Sequence, residues 1–472
     1  MPAPAKPRRR WWRAVFAFVA LVFIVLAGAW LYFDYAAKKA WDEAEAELDR
    51  SDPRWRLLEI GTDWPPIADD ENGALVIVAI APKLERAGLF DAAGKFQPAF
   101  EKLPATARLN DQQMDLIKTE LAKLPEFADV KRKLIKTPRG RFPIKFADDW
   151  LGTLINERQL TRQFAEALKC EAFMLAETKQ YDEALASCAV MLDIADMLAP
   201  EWSLIEYLIR RNHQTHAVYA LKRILAQGEP SSDALRLIQA SVARGINDKG
   251  LLHAMRGERA GLHHLMTNIR NSKVKDLRMN WQSHEKFRHS GWMYEQFPST
   301  LAPHAPEALR FMTEAVEIAK LPMHERKPKL DEWHAKARGT TNPVIFLLCP
   351  AFDQVNRADV ANQALLRSAV VAMASERYRR THKDCPTSLE DLVKAKLLDA
   401  VPVDPIDNQP LRFRRTNDGI VIYSIGTDGI DNQGHIDHEN WNAKGVDLGF
   451  RLWNPGARRQ LPMPPVVENE EK

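Results

Sequence analysis

The strongest pattern in the chain is a run of twenty residues without a charge, Ala14 to Phe33 (AVFAFVALVFIVLAGAWLYF). At 1.5 Å per helical residue it spans roughly 30 Å, one hydrocarbon thickness, and predicts a membrane-crossing helix. Trp11 and Trp12 before it, and Trp30, Tyr32 and Phe33 at its end, stand where amphipathic rings favour headgroup level. A cleaved signal peptide, with Ala27-Gly28-Ala29 as its small-residue site, is the competing reading; the apolar run continues past that triplet with bulky residues. Asp34 to Arg50 is rich in Ala, Glu and Lys and continues as a helical stalk. Ser51-Asp52-Pro53 stops it, and Trp64-Pro65-Pro66 breaks the chain again. Asp69-Asp70-Glu71 then open a helix carrying Ala74 to Ala81, since carboxylates favour the positive end of the helix dipole.

From about Trp150 to Met266, apolar residues recur at three- and four-residue steps, the helical period. Within this stretch Phe164 to Leu198 reads as two helices around a polar Glu177-Thr178-Lys179-Gln180 turn, with Ala165, Ala172, Tyr181, Ala184 and Ala189 interleaved. The unit resembles one tetratricopeptide-type hairpin, and no second copy follows at the repeat period. A helical bundle with small residues at close crossings explains the same pattern. Residues 271–305 lose the period and mix polar residues with Trp281, Phe287, Trp292, Tyr294 and Phe297, a long loop offering either a partner surface or packing against the body.

The last hundred residues change character. Ala358, Ala361, Leu365, Ala369 and Ala372 line one face of a helix starting near Phe352 and ending in Arg377, Arg379, Arg380 and Lys383. Thr387-Ser388-Leu389-Glu390 is a capping-box pattern for a short helix. Leu411–Arg415 and Ile420–Ser424 form a hairpin around Asn417-Asp418-Gly419, and Val446–Trp453 alternates as a third strand. The expected protein is mainly α with a C-terminal α+β module, one helix over a small antiparallel sheet. Its parts are a basic tail (1–13), a transmembrane helix (14–33), a stalk and connector (34–66), a helical body (67–345), the α+β module (352–455) and a flexible tail (456–472).

Charge adds a topology. The 472 residues hold 66 Lys+Arg and 63 Asp+Glu, a net +3. Five of the positives (Lys6, Arg8, Arg9, Arg10, Arg13) precede the span, leaving 61 basic against 63 acidic residues beyond it. The basic flank predicts a cytoplasmic N-terminus, with the bulk of the chain outside. The expected location is the inner (cytoplasmic) membrane as a single-pass protein, its body periplasmic or extracytoplasmic. A slightly acidic body argues against nucleic acid as a partner. In that compartment four Cys permit disulfides. Cys170 and Cys188 flank residue 179 symmetrically and fall at one height of the hairpin, either bonded or as two core thiols; Cys349 and Cys385 bracket a long helix and are too far apart.

One further pattern is specific. Cys385-Pro386-Thr387-Ser388-Leu389-Glu390-Asp391-Leu392, Pro402-Val403-Asp404-Pro405 with Asn408 and Pro410, Tyr423-Ser424-Ile425-Gly426-Thr427-Asp428-Gly429 and Asn440-Trp441 resemble the globular domain of the major pseudopilin of type II secretion systems. The resemblance covers less than a quarter of the chain, and no prepilin leader accompanies it. It implies calcium in the loop after Tyr423-Ser424, through the Ile425 carbonyl, Asp428 and Asp437. Asp428, Asp431, Asn432, Asp437 and Glu439, interleaved with Gly429 and Gly434, supply the oxygens such an ion takes. The loop is about two residues shorter than the family's, lacks its paired glycines and carries His435 and His438. Zinc held through His435-Ile436-Asp437-His438, and a solvated loop held by its own Asx turns, are the other two readings.

Catalytic motifs are absent: the chain has no His-Glu-x-x-His, Gly-x-Ser-x-Gly, Walker loop or Gly-x-Gly-x-x-Gly. Ser272-x-x-Lys275 lacks its companion motifs, and His253, His263 and His264 read as a polar helix face. The expected function is a membrane-anchored extracytoplasmic scaffold or interaction protein, with partners in a secretion or pilus-like apparatus. An extracytoplasmic hydrolase sited in the helical body, and a helical-repeat peptide-binding adaptor, are the alternatives.

Overall fold

The structure, a computed structural model, describes residues 9–60, 64–89, 100, 103–153, 155–246, 248–275, 277, 291–348, 352–437 and 440–464. Trp281, Phe287, Cys349, His438 and Glu439 lie outside them. The described residues are mainly helical, with one small three-stranded antiparallel sheet near the C-terminus.

Span and stalk are one unbroken helix, α1 (Arg9–Ser51), apolar enough over its first half to cross a membrane. Its large apolar side chains from Trp11 to Leu26 and from Leu31 to Phe33 are bare of protein, whereas Trp41, Ala44 and Leu48 are buried in the body. It ends at Ser51-Asp52-Pro53 as the break predicts, and a single turn, α2 (Leu57–Ile60), follows. Next comes α3 (Gly73–Ala87), whose cap is Asn72, one residue after the acidic triplet; the Asn72 side chain accepts from the Ala74 amide at 3.2 Å. After α4 (Asp111–Ala122) and α5 (Phe127–Lys136), helices α6 (Asn156–Glu177) and α7 (Tyr181–Met197) form the expected hairpin, with Lys179 at φ 64° in its turn. The helix after it, α8 (Leu204–Gln227), packs against both α6 and α7, so the three close a common core rather than stacking as repeats. Cys170 and Cys188 are free thiols, the first beside Leu109 and Ile117, the second inside the main core.

The remaining helices are α9 (Ser232–Ala243), α10 (Gly250–Arg270), α11 (Gly291–Gln296), α12 (Ala305–Lys320), α13 (Met323–Gly339), α14 (Pro343–Leu348), α15 (Phe352–His382) and α16 (Leu389–Lys394). A 3-10 turn, Pro298–His304, joins α11 to α12. Two apolar cores result. One joins α3 and α5 to α9 with α15 and the sheet; the other joins α1, α10, α12, α13 and α14 with the first turns of α8 and α15.

The expected boundary between a body ending at 345 and a module beginning at 352 therefore does not divide the packing. The apolar stripe on α15 is only part of its contact surface: Val355 belongs to one core and Leu365 to Ala374 to the other, with residues 368–376 buried throughout. Ala361, Ala364, Ala369, Ala372 and Ala374 allow neighbours to approach from several sides, which a one-sided amphipathic reading does not anticipate. Ahead of α16, the side chain that reaches back to the Ser388 amide (3.1 Å) is Asp391, not Glu390.

The sheet has the expected strands, β1 (Arg412–Thr416), β2 (Gly419–Ser424) and β3 (Leu448–Trp453), in the order β1-β2-β3. Thr416 pairs with Gly419, so Asn417-Asp418 is the two-residue turn. Leu448, Phe450 and Leu452 are buried, as the alternation requires, and α15 lies over β2 and β3.

The terminal segment corrects an expectation. Residues 456–464 do not hang free: Gln460 bridges to the chain at Ala107, with Arg108 N donating to Gln460 O (3.0 Å) and Gln460 N to Thr106 O (2.7 Å). Asn110 Nδ2 donates to the Met463 carbonyl at 3.1 Å. The expected flexible tail is held by charge: Arg458 pairs with buried Glu376, and Arg459 donates to the end of α6.

Candidate functional site

The largest cavity among those resolved, about 810 Å³, opens where the helical body meets the sheet. Helix α6 contributes Glu166, Lys169, Cys170 and Phe173; α8 contributes Tyr219, Lys222 and Arg223. Arg451 and Trp453 come from β3, Gly434 to Asp437 from the loop before it, and Phe100 and Leu103–Thr106 from the facing segment. The 3.6-residue period explains the α8 edge, because Tyr219, Lys222 and Arg223 lie three and four positions apart on one face.

The charges lining this cavity fall into two sets. Lys169 is neutralised by Glu166 (2.7 Å), and Arg451 by Asp418 (2.7 Å). Lys222 and Arg223 are both buried and also meet aromatic rings. Lys222 Nζ lies over Tyr219 and Phe450 at 5.2 and 5.8 Å, and the Arg223 guanidinium over Phe173 at 5.2 Å. Arg223 donates to the carbonyls of Pro104 (3.3 Å) and Ala107 (2.8 Å), and its Nε has no hydrogen-bond partner. Burial pushes Lys222 well below the usual ammonium range and Arg223 down to about 10. It pushes the Tyr219 hydroxyl, which Asp437 also opposes, up to about 12. The cavity is therefore an aromatic-walled pocket with the Arg223 charge at its back, suited to an anion carried on an apolar group.

No known family model, no curated protein and no solved structure matches the chain.

The one thiol among the described lining residues, Cys170, donates to Glu166 at 3.9 Å. Glu166 is engaged by Lys169 and by His216 (3.4 Å), and burial and Glu166 raise the Cys170 thiol well above its ordinary value. Asp437 Oδ1 and Oδ2 accept from Asn440 N (3.1 Å) and Nδ2 (2.9 Å).

The loop expected to hold calcium is described up to Asp437. Its acids are aimed apart. Asp428 accepts from Ile430 N (3.1 Å) and, across the loop, from Gly445 N (2.9 Å). Asp431 accepts from Gln433 N (2.8 Å) and the Tyr423 hydroxyl (3.2 Å). Ile425 donates its amide to Asp404 at 3.0 Å. Among the described residues no three His, Cys, Asp or Glu side chains are grouped to hold a metal ion. Two buried aspartates, Asp404 of the Pro402–Pro405 motif and Asp447, hold the region together. Asp404 receives Ser424 Oγ, Ile425 N and Arg412, while Asp447 receives Asn432 N and Gly434 N. Gly426 is required here: at φ 75°, an added Cβ would stand 2.1 Å from the Val446 carbonyl.

The other flagged residues are also accounted for. Ser272 and Lys275 are exposed beyond the end of α10. His263 stacks on Trp41 and bonds Glu45 (2.5 Å), His264 meets Asn268, and His253 lies against Trp64 and Glu201. A second polar cluster is buried between the two cores: Arg158–Glu206 (2.5 Å), Arg210–Glu201 (2.6 Å), Arg211–Asp248 (2.7 Å) and Arg326–Asp359 (2.9 Å). Its charges pair with one another, so it cements helices rather than offering a site. The signal that would have found the cavity is Lys222-Arg223 set within the apolar run of α8 (AVYALKRILA), two cations where a core face is expected.

Proposed function

We propose that the chain is a membrane-anchored scaffold whose body lies outside the cytoplasm and captures an acidic, apolar-flanked peptide segment of a partner protein in the cavity between α6, α8 and β3. The observation that carries this reading is Arg223, buried over the Phe173 ring with its Nε unpartnered, in a cavity large enough for a few side chains. A desolvated cation gains most from an anion that arrives already flanked by apolar surface. Such a partner belongs, on the resemblance of residues 385–441 to the pseudopilin globular domain, to a secretion or pilus-like apparatus at the inner membrane. The basic flank Lys6 to Arg13 supports the outward orientation of the body.

The test is fluorescence anisotropy with a labelled decapeptide alternating Glu and Phe, against the same peptide with Gln for Glu, using the full chain in nanodiscs. The acidic peptide should bind saturably and weaken with salt, and Arg223→Met should abolish binding while leaving the circular dichroism spectrum unchanged. Equal binding of both peptides, or none of either, would contradict the proposal.

A further inference from the structure

The register of helices around α1 fixes which end of the body faces the membrane. Arg256 and Arg259 of α10 pair with Asp52, His263 with Glu45, and Arg270 lies over Trp41 (5.7 Å). Thus α10 runs antiparallel to α1, and its C-terminus points back toward the span. Helix α12 runs the other way: Arg310 pairs with Glu47 (3.1 Å), and further along it Glu317 acts on Arg259 at the level of Asp52. Following α12 backwards through its start at Ala305, the 3-10 turn 298–304 and then α11 must lie still closer to the span. The turn packs on both α1 and α10, and α11 packs on the turn.

That end of the body carries an inverted pattern. Tyr294 and Leu301 point into the core, while Trp292 and Phe297 are 62% and 56% exposed. From Phe33, the last apolar residue of the span, to Trp41, the first fully packed one, is eight residues or about 12 Å of helix. The headgroup layer takes up about half of that on each side. A single rigid helix thus sets the two exposed rings close to the bilayer surface, where aromatic side chains gain by inserting their apolar body at headgroup level. Charge does not favour one lipid class: exposed Lys38, Lys39, Lys273 and Lys275 stand with exposed Asp34, Asp42 and Glu43.

We infer that Trp292 and Phe297 form a second membrane contact, seating the body on the interface of the same bilayer that α1 crosses. The contact rests on α1 spanning that bilayer. It fixes the tilt of the body and so the direction in which the cavity faces, and it requires no anionic lipid.

Nitroxide accessibility to oxygen and to a water-soluble nickel chelate tests it, on the full chain in phosphatidylcholine nanodiscs. Labels are placed singly by Trp292→Cys, Phe297→Cys, Phe23→Cys within the span and Leu237→Cys on an exposed face of α9, with the unsubstituted chain as background for its native thiols. The oxygen-to-nickel ratio at 292 and 297 should be several-fold above that at 237 and below that at 23. If 292 and 297 match 237 while 23 reports lipid, the second contact is overturned and the span stands. If 23 also matches 237, the span itself is wrong and the inference falls with it.

Discussion

Arg458 sets its two terminal guanidinium nitrogens on the carboxylate of Glu376, 82 residues earlier in the chain, at 3.0 and 2.8 Å. Both side chains are buried, and Arg379 donates to the same carboxylate at 2.7 and 3.0 Å. Burial opposes the charge on Glu376, but the two arginines outweigh it and hold its carboxyl below the usual range. This one acid joins the last turns of α15 to the terminal strap.

Replacing it should therefore cost more than a surface ion pair. Glu376→Gln leaves Arg458 charged and buried, and the expected loss is about 3–5 kcal/mol in urea titrations at pH 7. A carboxyl with a depressed folded pKa contributes stability above its unfolded value of 4.5, and that contribution fades as pH falls. The variant should lose less stability than the parent between pH 5 and pH 3. Deleting residues 456–472 should destabilise in the same direction, whereas a free tail could be removed without effect.

Glu258 has the opposite sign. Burial pushes its carboxyl up to about 7, and its main partner is the Leu204 amide at 2.8 Å. An acid whose folded pKa is raised favours folding while it is protonated, and its contribution declines as pH rises from 4.5 through 7. Glu258→Gln keeps the acceptor oxygen and removes the buried charge. Its melting temperature should exceed the parent's by a few degrees at pH 8.5 and match it at pH 4.5.

His213 is fully buried, with Nε2 2.7 Å from Thr161 Oγ1, and burial pushes its pKa from 6.5 down to about 3. A base with a lowered folded pKa binds its proton more readily unfolded, so stability is complete above 6.5 and drains as pH falls toward 3. Each pH unit below 6.5 costs up to about 1.4 kcal/mol from this residue. His213→Gln should flatten the acid limb of a stability–pH curve while leaving the value at pH 7.5 within about 1 kcal/mol.

Asp428 tests the ion reading of the C-terminal loop. Its two oxygens accept backbone amides across the loop, and the Gly445 amide keeps its carboxyl below the usual range. Asp428→Ala should lower stability by about 1–2 kcal/mol whether calcium or chelator is present. A thermal shift with calcium that this substitution abolishes would place the ion there.

Much of the fold was legible because its signals are local. The span, the 177–180 turn, the Asn417-Asp418 turn and the alternation of β3 follow from periods and turn residues within a few positions. What local pattern could not convey is which faces meet. The alanines of α15 read as one stripe yet pack on several sides, and residues 456–464 read as part of a flexible tail because Glu376 lies far away in sequence. The candidate loop illustrates the same limit. Composition places Asp428, Asp431 and Asp437 within ten residues, but the backbone aims each at a different amide. Conversely, the cavity joins residues from 100 to 453, and only the interruption of α8 by Lys222-Arg223 betrays it.

The most direct test of the account is topology labelling of the full chain in cells. Single cysteines introduced by Leu237→Cys in the body and Ala3→Cys in the basic tail are challenged with an impermeant maleimide, and the membranes are then washed in alkaline carbonate. The protein should stay with the membrane, with 237 labelled once the outer barrier is opened and 3 labelled only after lysis. Release by carbonate, or the reverse order of labelling, would contradict a body anchored outside the cytoplasm by α1.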